Sequence, residues 1–93
     1  MKQENEQEQW LEMCKVFAEA WRDEARQAGV PPTVASGWRK SLSVMLRKGA
    51  TTEDILVAVM VAWDGSANDS NHRWLRFCRV VWNVIGNENE VDL

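Results

Sequence analysis

Three arginines, Arg73, Arg76 and Arg79, follow one another at three-residue intervals through the segment His72 to Ile85, HRWLRFCRVVWNVI. On a helix that interval keeps side chains on neighbouring positions of one side, and each guanidinium can meet a phosphate or carboxylate with two parallel N–H donors. A second set of cations, Arg39, Lys40, Arg47 and Lys48, lies upstream. These seven residues are the candidate binding site. Residues 29–50 hold the upstream four and no acid; residues 51–71 hold Glu53, Asp54, Asp64 and Asp69 and no base. Residues 72–86 hold the three arginines and again no acid. If the two basic segments face the same way, they form a cationic face. Such a face could track phosphates despite the net charge of −3, because local potential outweighs net charge.

Other chemistry is sparse. His72 is the single histidine. It has no second ligand at metal-binding spacing and no nucleophile and orienting group around it, so neither a zinc site nor a catalytic base is expected. Asp64 and Asp69 flank a glycine-containing loop, but the alternating oxygen donors and terminal glutamate of a calcium loop are missing. Cys14 and Cys78 fall in separate amphipathic segments and read as free buried thiols, a bridge between the first and last helices being the alternative. The chain predicts a non-enzyme, with no catalytic, metal or cofactor-binding residues.

Four helical segments position these residues. The first runs from about Glu6 to Ala28, with Trp10, Cys14, Phe17, Trp21 and Ala28 as its apolar stripe, and is stopped by Gly29, Pro31 and Pro32. The second runs from about Thr33, or from Ser36 if Gly37 delays it, to Lys48; its stripe is Val34, Trp38, Leu42 and Met45, and Gly49 stops it. Thr51 and Asp54 form a capping box opening the third, whose run Ile55 to Trp63 is apolar on every side. That run predicts a helix enclosed by the others. After a turn-rich loop, 64–71, Ser70 or Asn71 caps the fourth, which ends at Gly86. The expected fold is all-α: a small single-domain four-helix bundle over residues 1–93, with an all-round apolar third helix at its centre. Residues 1–5 and 87–93 are polar and expected to fray.

Six tryptophans and two phenylalanines with no tyrosine give a 93-residue chain large rings with which to reach adequate burial. The polar start MKQENEQEQ is unlike a signal peptide, and the longest apolar run is too short for a bilayer. A soluble protein of the cytoplasm, with no membrane partner, is therefore expected.

The stretch GWRKSLSVMLRKGATTEDILVAVMVAW, a short loop and HRWLRFCRVVWNVI together resemble a helical module of phage replication proteins, the replisome organisers and helicase-loader-like proteins. The matching positions are Trp38, Leu46, Gly49, Thr52, Glu53, Ile55, Ala58, Ala62, Trp74, Phe77 and Trp82, within Trp38 to Ile85 or about half the chain. The resemblance implies a phage or mobile-element protein that acts by binding, in the cytoplasm of a bacterial host. No separate N-terminal DNA-binding domain is recognised, which sets it apart from a full initiator.

Two functions follow as expectations. One is an interaction protein that engages a host or phage protein of the replication or defence machinery. Small size, surplus tryptophan and alternating charge blocks favour it, and the same blocks suit a homodimer in which one subunit's basic helix meets the other's acidic segment. The alternative is a nucleic-acid-binding accessory module using the basic faces of helices 2 and 4.

Overall fold

A computed structural model of the chain describes the backbone of residues 2–64 and 70–90, and the side chains over 6–64 and 72–86. Four helices account for nearly all of it: α1 (Lys2–Ala28), α2 (Trp38–Arg47), α3 (Thr52–Ala62) and α4 (Ser70–Glu90), with no strand among the described residues. The protein is an all-α four-helix domain. The principal helix pairs are α1 with α2, α1 with α3, and α3 with α4.

Glycines end the first two helices by the same device. Gly29 and Gly49 adopt φ of +73° and +108°, a region in which a Cβ is strained. This turn lets Val30 N–H reach the Ala25 carbonyl (3.0 Å) and Gly29 N–H reach that of Arg26 (3.1 Å). Ala50 and Gly49 repeat the pattern on Met45 and Leu46, both at 3.0 Å. Thr51 then opens α3: its Oγ1 accepts from Asp54 N–H (3.1 Å), and the Asp54 carboxylate accepts from Thr51 N–H (3.0 Å). This is the expected capping box.

The second helix starts later than Thr33 or Ser36. Gly37 is its N-cap and Trp38 its first residue, so the glycine stands at the boundary and costs the helix interior nothing. Residues 31–35 stay non-helical, held where Trp21 Nε1–H donates to the Thr33 carbonyl (3.1 Å). Trp10 Nε1–H donates to the Arg39 carbonyl (3.0 Å) and ties α1 to the start of α2. The fourth helix does not end at Gly86; its backbone stays helical to Glu90. Residues 65–69 of the expected loop, the capping side chains of Ser70 and Asn71, and residues 1 and 91–93 of the ends expected to fray lie outside the described residues.

Six rings form the centre. The fully buried Phe17 has its centroid 5.1 Å from Trp21, 5.1 Å from Trp38 on α2, and 6.0 and 5.0 Å from Trp74 and Phe77 on α4. Trp21 meets Trp63, the C-cap of α3, edge-on at 5.4 Å. Offset and edge contacts of this kind add about 0.5–1.5 kcal/mol each beyond area burial. Leu42, Met45, Ile55, Val59, Val81 and Ile85 extend the core around them. On α1 the stripe is shifted from the expected one: Met13 and Ala25 are buried, Trp10 is half-buried and Ala28 is exposed.

The third helix is not enclosed. Ile55, Ala58, Val59 and Ala62 are fully buried against α1 and α4, but Leu56, Val57, Met60 and Val61 on the opposite side face outward. The reason is the depth of the domain. Its shortest extent is 20 Å, about two helix diameters, so every helix keeps an outer face.

Phe17→Ala should cost about 3–5 kcal/mol, because it removes a ring shared by three helices. Leu75→Ala, on an exposed position of α4, should stay within about 0.5 kcal/mol. Urea denaturation of the two variants checks this; equal losses would contradict the placement of the core.

Candidate functional site

One of the seven expected cations, Arg73, is buried, so the full set does not reach the surface. On α2, Arg39, Lys40, Arg47 and Lys48 are all exposed, and the Arg39 guanidinium lies 5.0 Å from the centroid of the Trp38 ring. On α4, Arg79 is exposed and Arg76 half-buried, while Arg73 is only 9% exposed. Pairing of α2 with α4 is not among the principal helix contacts. The arginine ridge loses its first member to the interior.

Arg73 sits where it does because of Trp63. Its guanidinium stacks on that ring at 4.1 Å, within the range of a strong cation–π contact when water is excluded. Arg73 Nε and Trp63 Nε1 are both buried N–H donors with no hydrogen-bond partner among the described residues. Ring stacking thus carries the compensation that hydrogen bonds would otherwise supply, and Arg73 serves to close the junction of α3 and α4.

The thiols are poorly suited to reaction. Both cysteines are free. Burial raises the Cys14 thiol above its ordinary value, the nearby Arg39 charge partly offsetting the rise. Burial pushes Cys78 up to about 11. Thiolate, the nucleophilic form, is therefore scarce at neutral pH. Two shallow grooves flank the N-terminal half of α1. One, of about 310 Å³, lies against Trp10, Ser43 and Arg47; the other, of about 300 Å³, against Met13, Ala50 and Thr51. Neither has a histidine or cysteine in its wall, and among the described residues no three His, Cys, Asp or Glu side chains gather at metal-binding distance. No described helix is long and apolar enough to cross a membrane.

The most distinctive surface is the outer face of α3. Val57 is 53% and Met60 62% exposed, with Leu56 and Val61 beside them. Glu53, Val57 and Met60 fall at i, i+4 and i+7, and the exposed Asp64 follows the C-cap Trp63, just past the end of the helix. The face is thus an apolar strip with a carboxylate at each end. These four apolar residues are what sequence reasoning missed, because an all-round apolar helix suggests enclosure. The signal that could have found them was chain length: four helices in 93 residues leave no layer to cover a third helix on both sides.

Comparison with protein-family models, with curated proteins and with solved structures finds no match for this chain.

Removing Arg73 tests whether it is interior packing or surface charge. Arg73→Ala should cost about 1–2 kcal/mol through the lost stack on Trp63. Arg79→Ala should change stability by less than about 0.5 kcal/mol. Equal, near-zero effects in chemical denaturation would return Arg73 to the surface.

Proposed function

We propose that this protein acts by binding another protein, and that the outer face of α3 is the docking surface. The observation that carries this is the exposure of Val57 and Met60 at the middle of the most apolar helix in the chain. Water solvates such a strip poorly, and contiguous exposed apolar patches of about 300–600 Å² are where monomeric proteins most often meet partners. Methionine at the centre suits this role, since its unbranched chain adapts to the opposing surface. The carboxylates of Glu53 and Asp64 select a partner with cations around an apolar centre.

The likeness of Trp38 to Ile85 to the phage replication module supports a partner from the replication or defence machinery of a bacterial host, met in the cytoplasm. The binding mode is non-enzymatic. A nucleic-acid target draws support only from the exposed cations of α2 and from Arg79, and Arg73 is not available to it.

Affinity capture from host lysate, with and without nuclease, tests the reading. The wild-type chain should retain a protein in both arms, and Met60→Glu should lose at least about nine-tenths of it, as expected for a charge placed at an interface centre. Capture that disappears with nuclease, or that Met60→Glu leaves intact, would overturn it.

A further inference from the structure

The carboxylates at the two ends of the α3 strip decide what can lie on it. Two copies cannot pair α3 with α3 favourably. An antiparallel arrangement sets Glu53 against the other copy's Asp64, and a parallel one sets each acid against its own counterpart, so like charges meet either way. A complementary strip needs cations at its ends and an apolar residue between them.

The outer face of α2 has that composition. Lys40, Val44 and Arg47 fall at i, i+4 and i+7, opposite the buried Leu42 and Met45, and all three are exposed. Lys48 stands beside Arg47, and α2 contains no acid. Neither Lys40 nor Arg47 has an ion-pair partner among the described residues.

We propose that the outer face of α3 is covered by the outer face of α2 from a second copy of this chain, the two copies exchanging the contact reciprocally. Val44 then lies over Val57 and Met60, and Lys40 and Arg47 reach Glu53 and Asp64. Along the α2 axis the cations stand about 10 Å apart, and the acids, one in the first turn of α3 and one just past its end, stand further apart. Lysine and arginine stems bridge that difference while covering apolar surface with their methylenes. The area also requires reciprocity. The exposed part of Leu56, Val57, Met60 and Val61 amounts to about 300 Å², and one such patch is too small for a stable interface. Covering both an α3 and an α2 face on each copy enlarges the interface toward about 1,200 Å², the lower edge of the range for specific pairs. We expect a weak self-association, of about 10–100 µM, as for pairs at the low end of interface size, weakened further by salt because its charge pairs are peripheral. A foreign partner would have to displace α2 from α3.

This inference rests on the reading of α3 as a docking face, and the test separates the two. Sedimentation equilibrium from about 5 to about 500 µM, a span bracketing that affinity, should show the mass rising from 10.7 kDa to twice that value. Met60→Glu, Lys40→Glu/Arg47→Glu and Glu53→Lys/Asp64→Lys should each remain monomeric over the range with unchanged helical circular dichroism. Mixing the last two restores both contacts with inverted charge in one of them, and should give a heterodimer at least about ten-fold tighter than either variant's self-association. A wild-type monomer at the highest concentration, a dimer indifferent to the charge reversals, or no heterodimer on mixing overturns the proposal. A monomeric wild type whose protein capture still depends on Met60 overturns self-pairing alone. Loss of both overturns the docking face as well.

Discussion

Phe17 makes the contact on which the other helices depend. Its ring, fully buried on α1, touches Trp38 of α2 and both Trp74 and Phe77 of α4, while its neighbour Trp21 takes the edge of Trp63 at the end of α3. Four helices of unequal length are thereby fixed at one level by rings rather than along their lengths by aliphatic ladders. A chain of 93 residues gains from this because each ring buries 150–250 Å², roughly, at the cost of two torsions. The indole N–H groups of Trp10 and Trp21 add direction, each donating to a backbone carbonyl at or before the start of α2. Bulk burial and specific orientation come from the same side chains.

That concentration of aromatic volume on α1, α2 and α4 explains the unusual economy of α3. It supplies the core with Ile55, Val59 and two alanines, Ala58 and Ala62, all fully buried. Small residues on the inner side let α1 and α4 approach closely, and Trp63 closes the end under Arg73. The larger residues Leu56, Val57 and Met60 are not needed inside and stand on the outer side. An apolar outer face has no folding role in a domain two layers deep, so its cost in solubility calls for a binding explanation.

Much of the fold was legible because its punctuation is local. Gly29, Gly49 and the Thr51–Asp54 pair act within a few residues of themselves, and the structure places each where the sequence does. The stripe of α2 was legible for the same reason, since Trp38, Leu42 and Met45 follow helical spacing. Two matters were not local. Whether α3 is surrounded depends on how many layers the whole chain can build, and the apolar run itself does not encode that number. Whether Arg73 is surface or interior depends on Trp63, ten residues upstream, offering a ring for it to cover. The start of α2 was hidden for a third reason: Pro31, Pro32 and the Trp21 bond to Thr33 hold the chain non-helical past residues that would otherwise accept a helix.

Methionine oxidation measures the central claim, that α3 spends one side on the core and leaves the other bare. Three methionines report on it: Met13 and Met45, buried on α1 and α2, and Met60 on the outer face of α3. Hydroxyl-radical labelling read by mass spectrometry, at a concentration of about 1 µM where self-association is negligible, should oxidise Met60 at least about ten times faster than the other two, since sulfur exposure controls the rate. Met60 protected to the level of Met13 and Met45 would mean that α3 is enclosed after all, and would contradict the account.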